Sequence, residues 1–166
     1  MDIQRTYLSW LRDAHAMEEQ ALTMLRSMSG RLEGHEALRA RIEQHIAETE
    51  RQEEALRLLL ERDGSTSVLK DLAGTIAAKG QALGGIFASD EVIKGTMAAY
   101  TFEHMEIASY AVLIAAARFI ADDEAVPIYQ QILEEEQSMA DWLRANIDET
   151  TDRYLRRLDL AEAAGE

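Results

Sequence analysis

The chain of 166 residues contains no cysteine. Disulfides, thiolate zinc sites, iron–sulfur clusters and cysteine nucleophiles are thereby excluded, and thiol usage says nothing of compartment. Proline occurs once, at Pro127, and aromatic residues make up only 6% of the chain. Basic residues are also scarce: 17 Lys and Arg stand against 31 Asp and Glu, a formal charge of −14. Nucleic acid and anionic membrane are poor partners for such a surface, because phosphate binding needs clustered cations. The same charge favours solubility and raises the local concentration of cations. No apolar run reaches the ~20 residues of a membrane span. The first residues, MDIQRTYLSWLRDAH, carry charge throughout and lack the apolar stretch of a signal peptide. A soluble, cytoplasmic protein is therefore expected. No Gly-x-Ser-x-Gly, phosphate loop, dinucleotide fingerprint or His-Glu-x-x-His motif is present, and Gly80 to Gly85 lacks the lysine and strand context of a phosphate loop.

What remains is a helix-forming composition, rich in Ala, Leu, Ile, Glu, Gln and Arg, in a length that suits one domain. Four long segments carry helical period. The first runs from about Ile3 to Gly30, with Tyr7, Leu11, His15, Glu18, Leu22 and Leu25 on one stripe. The second runs from about Glu36 to Arg62, with Leu38, Ile42, His45, Thr49, Gln52, Leu56 and Leu59 inward and Glu48 at the seam. The third starts near Ser89-Asp90-Glu91, an N-cap with acids in the first turn, and places Val92, Thr96, Ala99, Glu103, Glu106, Tyr110, Leu113, Ala117 and Ile120 inward. Asp122-Asp123-Glu124 breaks it. Pro127 fits the first turn of the fourth helix, which turns Ile132, Met139 and Leu143 inward and ends near Ile147. A separate short helix is expected over Thr150 to Ala164, and another (Val68, Leu69, Leu72, Ile76) within the Ser65–Ala88 crossover. Short first and last connections with a long middle one give the wiring of a ferritin-like four-helix bundle. The fold class is all-α.

Several polar residues fall where these stripes should be apolar: Glu18, His45, Glu48, Glu103, Glu106 and one of Glu135 or Glu136. A buried, unpaired carboxylate is expensive, so four or five converging acids call for cations among them. Carboxylate and imidazole suit iron and manganese, and residues three or four apart share a helical face. A weak internal repeat supports convergence. His15 and Glu18 match Glu103 and Glu106 at an offset of 88 positions, and Glu48 matches Glu135 or Glu136 at 87 or 88. The usual diiron bundle pairs two lone Glu residues with two Glu-x-x-His motifs. This chain departs from it: the order on helix two is inverted, His45-x-x-Glu48, and Glu135 and Glu136 are followed by Ser138 and Met139. Around the centre, Thr49, Gln52, Tyr110 and Asp141 stand at the same level as supporting polar groups, with His15 as a core or supporting residue. His35 and His104 fall in a turn or on an outward face.

The segments WLRDAHAMEEQA (10–21), ALRARIEQHIAET (37–49), SDEVIKG (89–95), FEHMEIASY (102–110) and ILEEEQSMADWL (132–143) resemble the YciE/YciF family of ferritin-like proteins, most closely its YciE branch. The resemblance covers nearly the whole chain. It implies a ferritin-like bundle with an added short helix, a homodimer, and a dinuclear metal centre at Glu18, Glu48, Glu106 and the Glu135/Glu136 pair, with Glu103 and His45 close by. Two iron ions, or manganese, with O₂ or peroxide handling, are what these residues lead us to expect, and the resemblance adds only an association with stress. It names no reaction. Two other readings fit the same residues: a metal-free helical scaffold whose inward acids are protonated or paired with Arg51 and its neighbours, and a module that binds a partner through its acidic surface or crossover.

Overall fold

A computed structural model describes residues 2–63 and 91–164. Among them are four helices: α1 (Ile3–Ser29), α2 (Glu36–Arg62), α3 (Glu91–Phe119) and α4 (Ala125–Ala164). The expected crossover helix and the Ser89-Asp90 cap lie outside the described residues.

Local chemistry fixes the helix ends. Asp2 caps α1, its carboxylate accepting from the Gln4 amide at 3.2 Å. Gly30 closes α1, and Gly34 takes a positive φ of 76° before α2 starts. Only glycine takes that conformation cheaply. The turn from α3 to α4 solves the same problem with Ala121 at φ 58°, where a Cβ is penalised. Asp122 then receives the Ala125 amide on its carboxylate at 3.3 Å, and Pro127 sits in the first turn of α4.

Contacts between helices define a four-helix bundle. Tyr7 bonds Asp122 and Tyr110 bonds Glu18, so α1 and α3 run antiparallel. Gln52 meets Glu135, and Arg62 meets Asp122 and Glu124, while Arg153 near the other end reaches Glu36. Helices α2 and α4 are therefore antiparallel as well. Since α1–α2 and α3–α4 are short-linked hairpins, α2 and α3 point the same way. The end of α2 and the start of α3 thus lie at opposite ends of the bundle, the ferritin-like wiring. Every residue of the α1 and α2 stripes is buried, and the core gathers Tyr7, Leu11, Leu25, Ile42, Leu56, Leu113, Tyr129, Met139 and Leu143.

One expectation fails. Residues Thr150 to Ala164 are not a separate helix: α4 continues unbroken for 40 residues, past Ile147 to Ala164. No glycine or proline interrupts DETTDRYLRRLDLAEAA, and Thr151 hydrogen-bonds back to the Ile147 carbonyl at 2.8 Å, so nothing stops propagation. At 1.5 Å per residue α4 is about 60 Å long, against about 40 Å for α1 or α2. Its later part crosses the α1–α2 turn, where Arg157 and Arg153 donate to the Glu33 and Gly34 carbonyls.

Candidate metal centre

The middle of the bundle is a cluster of acids around one imidazole. Glu18 comes from α1, His45 from α2, Glu103 and Glu106 from α3, and Glu136 from α4; each is at most 1% exposed. Helical spacing puts them there: Glu18 lies between Leu11 and Leu25 on the inward stripe, and Glu103 and Glu106 lie between Ala99 and Tyr110. His45 Nε2 stands 3.2 Å from Glu103 Oε2 and 3.3 Å from Glu136 Oε2. One donor atom from each of these three residues lies within 4.8 Å of the other two.

Of the seven candidate residues, the structure brings five together and sets two apart. Glu48 is at the seam, its side chain 13% exposed; it accepts from His45 Nδ1 at 2.8 Å and from Arg41 at 3.0 Å. Glu135 points sideways, accepting from Gln52 at 2.8 Å and from Gln131 at 3.2 Å. Glu136 is therefore the inward acid of helix four. Among the supporting groups, the Tyr110 phenol donates to Glu18 Oε1 and Gln52 holds Glu135. Thr49 spends its hydroxyl on the His45 carbonyl of its own helix. Asp141 is exposed, a correction to its expected place beside the centre; position 141 directly follows the buried Met139 and Ala140 and turns past the inward stripe. His15 is buried but faces α2, where its Nε2 lies 2.7 Å from Glu53 Oε1. Arg41 was missed in the sequence; it lies four residues before His45 and seven before Glu48 on one helical face.

Burial dominates the electrostatics. It is the main force raising Glu18, Glu103 and Glu106 above the usual carboxylate range, and the neighbouring acids push the same way. Glu103 reaches about 8, because His45 partly offsets the rise. Burial disfavours a charge on His45 too, but the carboxylates of Glu103, Glu136 and Glu48 outweigh it and push the imidazole up to about 12. Burial likewise acts to raise Glu136 and Glu48, and here it loses. His45 and Glu103 hold Glu136 down. His45, Gln44 and Arg41 hold Glu48 at about 2. The cluster thus favours the charged form of Glu48 and Glu136 and the protonated form of Glu18, Glu103 and Glu106.

The polar atoms left over test whether metal ions fit. Seven buried atoms of the cluster have no hydrogen-bond partner among the described residues: Glu18 Oε2, His45 Nε2, Glu103 Oε2, and both oxygens of Glu106 and Glu136. Native interiors leave few such atoms, and these all belong to metal-ligating types from four facing helices. The donor set of oxygens with one imidazole fits iron or manganese.

Residues 2–156 match the family model described as a domain of unknown function, DUF892. The chain belongs to that family. Three solved structures share the fold. A protein of Xanthomonas campestris pv. campestris is 36% identical, with 95% of this chain and 99% of that one covered and a TM-score of 0.78. The stress protein YciF of E. coli is 22% identical over 92% of this chain and 98% of its own, with a TM-score of 0.73. YcfI of Rhodopseudomonas palustris is 24% identical over 87% and 94%, with a TM-score of 0.68. The last two likenesses speak for the fold alone. No helix among the described residues is long and apolar enough to cross a membrane.

Proposed function

We propose that the buried cluster holds two iron or manganese ions and serves redox handling of O₂ or peroxide during stress. The observation that carries this reading is the set of seven buried donor atoms on facing helices that lack a hydrogen-bond partner among the described residues. Glu18, Glu103, Glu106, Glu136 and His45 Nε2 would hold the ions. Bound there, iron or manganese supplies electron-transfer steps that no side chain of the cluster can perform. With an ion bound at Nε2, Glu48 would hold the remaining imidazole proton on His45 Nδ1; Arg41 and Gln44 fix Glu48 in turn. Tyr110 anchors one oxygen of Glu18 and leaves the other for a cation. The apolar residues above and below exclude bulk water. The description of the E. coli neighbour as a stress protein makes peroxide exposure the condition to examine. We assign the chain to the YciE branch on its five matching segments.

Elemental analysis of protein purified from iron- and manganese-supplemented culture tests the reading. About two ions per chain, lost in Glu106→Ala, are expected. An ion-free protein whose stability ignores chelator would instead support the scaffold reading, which the tendency of Glu18, Glu103 and Glu106 to keep their protons favours.

We further propose a homodimer. Met105, Val112 and Phe119 repeat every seven residues along α3 and are 49%, 48% and 75% exposed. Such an unburied apolar stripe suits a second copy of the same helix.

A further inference from the structure

His15, Glu19 and Glu53 make a second constellation, separate from the acids of the centre. Each brings one donor atom within 4.8 Å of the other two. The imidazole is buried, its side chain only 4% exposed. Its Nε2 lies 2.7 Å from Glu53 Oε1, a distance at which the ring donates its proton to the carboxylate. In the neutral ring that bond sets the tautomer, with the lone pair on Nδ1. Nδ1 is buried without a hydrogen-bond partner, and so is Glu19 Oε2, 3.8 Å away. The separation is too long for a hydrogen bond. It matches two ligands of one ion, which stand roughly 3.4–4 Å apart when each is ~2.1 Å from the metal. An imidazole that ligates through one nitrogen and donates from the other to a carboxylate is the usual support of a metal-bound histidine.

The surroundings point the same way. On α2, Glu43, Glu50, Glu54 and Glu61 are each matched by an arginine, from Arg39, Arg26 or Arg57. Among the described residues, the cation shared by Glu19 and Glu53 is the imidazole, and only if it is protonated. Glu19 and Glu53 are 37% and 24% exposed, so water can reach the open coordination positions. Histidine at i with glutamate at i+4 gives a chelate on one helical face. We propose that His15 and Glu19, oriented and completed by Glu53, bind one divalent first-row transition ion at the α1–α2 seam. Imidazole with carboxylate selects zinc, manganese, iron or cobalt over calcium and magnesium. The site lies one helical turn from Glu18 and is independent of the paired-ion reading of the centre.

Cobalt(II) is the probe, followed by visible absorption and by equilibrium dialysis with metal counting. The background carries Glu106→Gln and Glu136→Gln, which remove the centre. This double variant should retain one cobalt per chain. Adding His15→Gln or Glu19→Gln should weaken that binding at least tenfold, and Glu53→Gln by about 10- to 100-fold. Glu19 is partly exposed, so its substitution reads the site even where His15→Gln perturbs folding. The proposal is overturned if the double variant binds no cobalt, or if its affinity survives both Glu19→Gln and Glu53→Gln. If the double variant binds one cobalt and the unsubstituted protein binds no more, the paired-ion reading fails and the seam site stands.

Discussion

Tyr110 on α3 donates its phenolic hydrogen bond to Glu18 Oε1 on α1, and the second oxygen of Glu18 is left buried without a partner. One contact therefore both fixes a carboxylate and aims its free oxygen into the cluster. It also joins two antiparallel helices at the level of the centre, with the Tyr129 ring 6.4 Å from that of Tyr110.

Tyr110→Phe deletes the donor while keeping the ring. Urea unfolding of the metal-free variant should show a loss of about 1–3 kcal/mol, the cost of stranding a buried acceptor. An unchanged midpoint would mean that Tyr110 contributes packing alone.

The pH dependence of metal-free protein has a definite sign. Glu103 and His45 both have raised values, about 8 and about 12, and Glu18 and Glu106 are raised too. The folded state then binds more protons than the unfolded one, so the stability these groups contribute is fully present below their ordinary values and falls as pH rises. The fall should begin near pH 4.5 for the acids and 6.5 for His45, and run through about 8 for Glu103 and about 12 for His45. Glu48 and Glu136 are lowered and act oppositely, but only below the ordinary carboxylate value. Thermal unfolding in chelator at pH 6 and pH 8.5 should show the lower midpoint at pH 8.5; a rise would contradict the assignment.

Glu106→Gln should have opposite effects on the two states of the protein. Without metal at pH 8 it removes an acid pressed by Glu18, Glu136 and Glu103, and should stabilise by roughly 1–2 kcal/mol. Titration with ferrous or manganous ion should show the binding lost. A variant less stable than the parent in chelator would indicate that Glu106 is held by a favourable contact.

The two left-handed positions offer a test of the turns. Ala121→Gly should stabilise by about 1 kcal/mol, since it relieves a Cβ at φ 58°. Gly34→Ala should destabilise by more, because φ is 76° and a new Cβ would meet the Arg157 guanidinium at 2.6 Å. Denaturant midpoints report both, and equal shifts of one sign would refute the account.

Val112→Glu places a charge in the centre of the exposed α3 stripe. Sedimentation of the parent should give a dimer and of the variant a monomer, with unaltered helical content. A parent that sediments as a monomer would remove the stripe from consideration.

Periodicity alone located much of this architecture. A carboxylate three residues from another on an otherwise apolar stripe announces its own burial, as Glu103 and Glu106 do, because side-chain direction follows helical geometry. The 88-residue offset even marked which levels of the two hairpins correspond. Glu135 and Glu136 resisted, since adjacent residues differ by about 100° and the stripe of α4 is wide enough for either. The contact of Gln52 with Glu135, made across helices, decides between them. His15 looked like an equivalent of Glu103 by offset, yet its ring goes to Glu53, a partner that no spacing rule links to it.

Composition and period by themselves determined an all-α bundle, its antiparallel hairpins, and a level at which acids crowd inward. They did so because helix propensity and the 3.6-residue repeat are local properties. Tertiary structure alone decided which acids share a cavity, which one a tyrosine anchors, and that Glu48, at its seam position, orients His45 rather than joining the cluster. It also laid Arg153 and Arg157 of the long α4 on the α1–α2 turn. Those outcomes depend on the rotation and height of each helix against its neighbours. Packing between distant segments sets both, and no single helix encodes them.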